Sequence, residues 1–525
     1  MSGRRWLGPV AAAGLLLAAC GGTAAATNDD ARATSVLRVA IGVDPDTLDP
    51  MRQTTTTVMN IVQMVVEPLI RLDQDGQVQP DLATDWQEAP DASSWTFTLR
   101  AGVRFSDGTP LDAEAVVRSF DRSLDPSNVC ELCGAMTSAV RSVQVLDPRH
   151  VRLVMARPLA AGLVLGSLSE PSFAILSPGA IVPGTASYAR QERPVGTGPY
   201  LLADRIEGVR VTLVRNDAYW GRRPAFARQV FQIEPDATMR ESLVRSGDVQ
   251  VTLLPPASDL PAMQRDSNVK VVLAPGDRLV FLAIDTVDTR QPLLRDRRVR
   301  QALNYAINRD AIVRSTLFGA AEPATSAMAP NVFGYCEQTP YAYDPDRARA
   351  LLGQAGAGGL TISLIAPTGR YIQDFQAAQN VAGELRAVGV NVEGPRTMDW
   401  PTYVGTILVP PARATVDAHM LGFAPNILDA ADAMRQFEPG QIPPTGLASS
   451  YYDNPQVGAL LAQAQVEPLR VARLREYCEA QKQVWDDAPM IFLWVQKFPI
   501  VYSAQVTDVA SRPNESLDTV YARPA

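Results

Sequence analysis

Two nearly continuous apolar runs place the strongest limit on what this chain can fold into: RLVFLAID, Arg278 to Asp285, and MIFLWVQKFPIVYS, Met490 to Ser503. Strands of this kind are buried on both faces, inside a sheet rather than at a solvated edge. They lie far apart in the sequence. Strands crossing between two lobes are one arrangement that accommodates both, and each lobe is then discontinuous in the chain. At 525 residues the chain exceeds what one hydrophobic core usually organises, so two or three lobes are expected.

The remaining pattern supplies strands and helices in alternation. VLRVAIGV (36–43) and LTISLIAP (360–367) read as strands. SWTFTLRAGVRFSDGTPL sets Trp95, Phe97 and Leu99 on one face, then turns at Ala101-Gly102 and Asp107-Gly108, as a hairpin on a small sheet does. Asp112 is a good N-cap for a helix whose apolar stripe is Val116, Val117, Phe120 and Leu124. Val299, Ala302, Leu303, Ala306 and Ile307 form another stripe, after which Asn308 can cap a second short helix. Helices are also expected over 345–352 and 371–388. The alternation favours an α/β fold.

Composition and motifs argue against catalysis. Acyl transfer needs a base, usually histidine, and the chain has 2 histidines, His150 at an expected hairpin tip and His419 inside the alternating VDAHMLGF. There is no GxSxG elbow and no HExxH helix. GTGPY, Gly196 to Tyr200, lacks the third glycine of a dinucleotide loop and the lysine of a phosphate loop. A formal net charge of −8 disfavours nucleic acid and anionic membrane as partners. No cofactor and no metal cluster are expected.

The N-terminus reads as an export signal: Arg4 and Arg5, an apolar run from Leu7 to Ala19, then small residues. As a helix that run spans roughly 20 Å, short of the roughly 30 Å hydrocarbon core of a bilayer. Four further cysteines follow Cys20. Cys130 and Cys133, in CELC, suit a local disulfide better than a metal or redox site, since no second CxxC accompanies them. Cys336 and Cys478 are then left to pair, although spacing alone does not fix connectivity.

Several segments together carry a resemblance: PDTLDP (45–50), VEPLIRLDQDGQVQPDLATDW (66–86), WTFTLRAGVRFSDGTPLDAEAVV, VGTGPYLL, VRNDAYWGRRP, ESLVRSGDVQV, RQALNYAINRDAIV and YDPDRARALL. In this order the chain resembles the extracytoplasmic solute-binding proteins of ABC transporters, family 5, the oligopeptide, dipeptide and nickel-binding class. The resemblance implies a periplasmic-binding-protein-like α/β fold of two lobes joined by crossing strands, with a small inserted subdomain. It places lobe I at 35–65, 191–275 and 498–525, the inserted subdomain at 66–190 and lobe II at 276–497. Leu17-Ala18-Ala19-Cys20 resembles a lipoprotein lipobox. That implies removal of residues 1–19, lipidation of Cys20, and a tether over 20–34 holding the protein on the outer side of the cell membrane. The implied partners are a small solute, a peptide foremost, and the ABC permease subunits, with ATPase subunits acting indirectly and the binding protein a monomer.

The same resemblance points to LGFAPNILDAADAMRQF, 421–437, as the specificity segment. Peptide-binding relatives resemble GW..D..DP..F there, and the first acid pairs with a peptide amino group. Here Phe423 follows Gly422, Asn426 stands at the first acid, and Asp429 precedes Ala430 rather than proline. Further candidates for the ligand cleft are Gln53, Thr54, Trp400 and Tyr403, the aromatic pair suiting an apolar ligand face. His419 keeps open a nickel chelate as the solute. An oligosaccharide, or a sensor or assembly role in the cell envelope, are the other readings.

Overall fold

The computed structural model describes residues 36–45, 47–52, 56–73, 77–125, 133–181, 193–287, 290–398, 400–512 and 514–525. Export signal, Cys20, tether, Gln53, Thr54 and Cys130 all lie outside those residues. Two long antiparallel strands, Val269–Ile284 and Met490–Ser503, organise the rest. On one side Val251–Leu253 pairs with the second of them, followed outward by Val36–Ile41, Arg228–Ile233, Arg210–Arg215 and Tyr200–Ile206. On the other side Ala418–Phe423 pairs with the first, followed by Thr361–Ile365 and Asn391–Arg396.

The register of the long pair breaks between Ala274 and Arg278, at Pro275-Gly276-Asp277. Proline has no amide hydrogen for a ladder bond. Glycine is required by the close approach of the partner strand: a Cβ at Gly276 would stand 2.1 Å from the carbonyl oxygen of Gln496. The apolar run beginning at Arg278 is therefore only the later part of a 16-residue strand. Its earlier part alternates between more and less buried positions, and Lys270, Gly276 and Asp277 interrupt its apolar residues.

Four large cores surround these strands. Leu37, Val39, Phe231, Phe498 and Leu517 share one. Leu303, Ile362, Val381, Leu385 and Trp494 share a second under the helices of the other half, and Phe281, Met434, Tyr477 and Phe492 form a third on the opposite face of the strands there. The fourth lies under a separate four-stranded antiparallel sheet in the order Ala83–Glu88, Ser94–Leu99, His150–Met155, Val140–Asp147. There Trp95, Phe97 and Leu99 are buried as their alternation requires. Their partner strands are Ala83–Glu88 and His150–Met155, so 94–111 is not a hairpin closed on itself. Only the short bridge between Arg104 and Pro110 closes around the 107–108 turn.

Local signals act as their chemistry dictates. Asp112 Oδ1 accepts from the Ala115 amide at 2.9 Å to cap Ala113–Leu124. Asn308 Oδ1 accepts from Ala311 at 3.0 Å to cap Arg309–Ser315. The helix expected over 371–388 runs Asp374–Ala387, since the Asp374 carboxylate instead accepts the amides of Gly369, Arg370 and Tyr371 and holds the preceding loop. GTGPY is a packing device: a Cβ at Gly196 would lie 2.2 Å from the carbonyl oxygen of Val65. Cys336 and Cys478 are disulfide-bonded, and Cys133 is also in a disulfide.

Candidate functional site

The four-stranded unit touches the helical half directly. The Ala160 amide donates to the carbonyl of Gln465 at 2.8 Å, and Ile427 and Ala431 pack against the core under the small sheet. A cavity of 170 Å³ lies at this junction, lined by Met136, Arg157 and Leu163 from one side and Asn426, Asp432 and Glu438 from the other. A larger cavity of 540 Å³ opens between Pro235–Ala257 and the loop 368–376, with Gln496 and Arg370 in its wall.

Charged residues connect the two cavities. At the larger one, the Arg370 guanidinium lies over the Trp400 ring at 5.2 Å and the Tyr371 ring at 5.4 Å. It makes no hydrogen bond or ion pair among the described residues. Burial lowers its pKa, and the like charge of Arg278 adds to that. Tyr371 donates through its hydroxyl to the Gly422 carbonyl at 3.4 Å. Arg278 reaches Glu515 Oε2 at 3.1 Å. Beside them Asp277 is buried with its carboxyl pushed well above the usual range by burial and by the Glu515 charge. Further on, burial pushes Glu170 up to about 8, with Arg512 opposing and Asp432 adding to the shift. Asp432 accepts the amides of Asn426 and Ile427, which brings the trace to the smaller cavity.

The expected site residues divide on this geometry. Trp400 is 36% exposed, stacks on Tyr403 with ring centroids 5.6 Å apart, and supports Arg370. Asn426 lines the smaller cavity. Phe423 is half-buried and packs on the core of its own half. Three others are bonded within the fold. Tyr403 is fully buried with its hydroxyl donating to the Met420 carbonyl at 2.6 Å. Asp429 caps the turn at Ala430–Ala433 and takes two bonds of 2.7 Å from the Arg473 guanidinium, so its oxygens are occupied. His419 is buried against Ser449 at 2.8 Å, and loss of hydration pushes its pKa down to about 3, so the ring is neutral. No group of three metal-binding side chains occurs among the described residues.

Sequence reading did not single out Glu170, Asp277, Arg278, Arg370, Tyr371 and Glu515 as site candidates. One signal was available: Asp277-Arg278 puts two opposite charges directly before six residues that are apolar and buried. A charge in such a place is conspicuous because its burial is costly unless paired.

The mixed α/β architecture, built around one large sheet, is that of periplasmic-binding-protein-like structures. The description "Bacterial extracellular solute-binding proteins, family 5 Middle" matches residues 77–442, and the chain belongs to that family. It is 27% identical over 474 residues to the glutathione-binding protein GsiB of Salmonella paratyphi A, covering 89% of this chain and 90% of that protein. Among solved structures, it resembles NikA of Brucella suis in complex with Fe(III)-EDTA, with TM-score 0.82, 24% identity and coverage of 94% and 100%. It also resembles the dipeptide-binding protein of Pseudoalteromonas sp. SM9913 in complex with Met-Leu, with TM-score 0.78, 24% identity and the same coverage. These structures share the fold. No helix among the described residues is long and apolar enough to cross a membrane.

Proposed function

We propose that the protein captures a peptide or peptide-like solute between its lobes and delivers it to the permease of an ABC importer. Arg370 carries this reading. An exposed guanidinium in the wall of the larger cavity, held over two aromatic rings and left without an anionic partner among the described residues, fits a carboxylate on the incoming solute. Similarity to a glutathione-binding protein and to a dipeptide-binding fold agrees with a carboxylate-bearing peptide. The lobes, 35–65 with 191–275 and 498–525, and 276–497, would open and close about the crossing strands near Gly276, with 66–190 riding on the first. A ligand favours the closed state through the contacts it gains there. Lipidation at Cys20 after loss of residues 1–19 would keep the protein beside its permease. ATP hydrolysis belongs to other subunits.

Native mass spectrometry of the protein lacking residues 1–20 tests this reading. A retained mass that fragments as a peptide, and whose binding weakens about tenfold or more in Arg370→Ala, is the expected result. No retained mass, together with no thermal shift from a peptide panel, overturns it. A solute at 100 times its dissociation constant stabilises by about 2.7 kcal/mol.

A further inference from the structure

The segment expected to hold a solute's amino group has Asn426 where an acid was anticipated, and its one buried acid near the motif, Asp429, is closed off by Arg473. Carboxylate oxygens without partners occur elsewhere. Asp277 and Glu515 are 2% and 4% exposed, and Asp277 Oδ1 and Glu515 Oε1 are buried without a hydrogen-bond partner. They are neighbours: Glu515 Oε1 stands 2.8 Å from the position of a Cβ on Gly276, the residue preceding Asp277. Glu170, 6% exposed, has no hydrogen bond to its carboxyl among the described residues and lies near enough to raise the Asp277 pKa.

Local cations do not close this set. Arg278 satisfies only Oε2 of Glu515. Arg512 faces Glu170 but is paired with Asp518 at 3.3 Å. Asp432, the other charge facing Glu170, is an acid and already accepts two amides. Glu515 is also held at a φ of 57°, a backbone state that non-glycine residues enter at some strain. Three chain segments thus bring acids to one buried place: the small sheet's unit through Glu170, the crossing strand through Asp277, and the C-terminal segment through Glu515.

We propose that Asp277 and Glu515, backed by Glu170, form a receptor for a cationic nitrogen of the solute, an ammonium or guanidinium group. An ammonium carries three donors and can serve both free oxygens at once. Burial strengthens such contacts because no water competes for them. The receptor deepens the peptide-like reading and rests on it: Arg370 takes the anionic pole and the acids take the cationic pole. It also replaces the lost acid at Asn426 with carboxylates from other parts of the chain. Without solute, Asp277 and Glu170 meet their burial by holding protons, in line with their raised pKa values. An incoming cation displaces those protons.

The test is calorimetric titration of wild type, Asp277→Asn and Glu515→Gln with trialanine and with N-acetyl-trialanine, plus thermal shift with agmatine, a cation that is not a peptide. Melting curves of the empty variants establish that each is folded, and either variant carries the test if the other is not. Wild type is expected to bind trialanine about tenfold or more tightly than its acetylated form, and each variant to lose that preference. If wild type shows no preference, or the variants keep it, the receptor is overturned while the peptide reading stands. If wild type binds neither peptide, the peptide reading falls and agmatine decides. Stabilisation of wild type but not of the variants keeps the cation receptor. No stabilisation removes it as well.

Discussion

Two groups of buried carboxylates adjoin the segment 421–437, and they are built in opposite ways. Asp429 is closed: both oxygens are bonded to Arg473, whose guanidinium also donates to Tyr477 at 2.9 Å and to the Ala464 carbonyl at 2.8 Å. Asp277 and Glu515 are open, each with one buried oxygen unmatched. A buried charge whose partners are all present serves to specify how its neighbours pack. A buried charge left unmatched is tolerated only if something else completes it, either a proton or a ligand. Burial alone does not separate scaffold from site, whereas the count of satisfied atoms does.

The largest effect should come from breaking the closed group. Arg473→Met leaves Asp429 buried without its counter-charge and is expected to destabilise the protein by about 3–5 kcal/mol, read as a fall in the denaturation midpoint. A change under about 1 kcal/mol would mean that the pair is not scaffold, and the contrast between the two groups would collapse.

A second, smaller effect distinguishes the open group through pH. Burial pushes the Glu170 carboxyl from its ordinary 4.5 up to about 8, so between those values the folded state holds a proton that the unfolded state has released. Its favourable contribution is complete below about pH 4.5 and is lost as pH rises through about 8. Glu170→Gln imitates the protonated form. The empty variant should therefore exceed wild type in stability by roughly 1–3 kcal/mol near pH 8, with the gap narrowing toward pH 5. Parallel stability curves for the two proteins between pH 5 and 8 would show that Glu170 does not titrate in this way.

The smallest expected effect concerns His419, a buried polar group that is satisfied like Asp429. His419→Gln should leave binding of a nickel–histidine chelate unchanged within error, because the neutral ring is sealed against Ser449. Loss of chelate binding measured by calorimetry, in a variant whose melting curve is intact, would place His419 in the site.

Asp112 and Asn308 cap the helices that their positions announce, since a cap needs only the next three residues to act. The two apolar runs announced strands buried on both faces, and Met490–Ser503 does run that length. Trp95, Phe97 and Leu99 announced a face but not its partners: alternation defines a strand's sides and says nothing about which strand lies beside it. Tyr403 and His419 were expected at the ligand because an aromatic or imidazole ring suits both a core and a pocket. Which one it occupies depends on what packs over it, here Met420 and Ser449.

The sequence by itself determined the periodic elements, their caps, the family resemblance, and the loss of an acid at Asn426, because each of these is written in neighbouring residues or in a motif read in order. Only the tertiary structure decided that Asp429 is occupied, that Asp277 and Glu515 each keep one buried oxygen unmatched, and that Glu170 lies near them. Those residues come from separate parts of the chain. Whether a charge is satisfied depends on atoms brought to it by folding, and no local pattern records them.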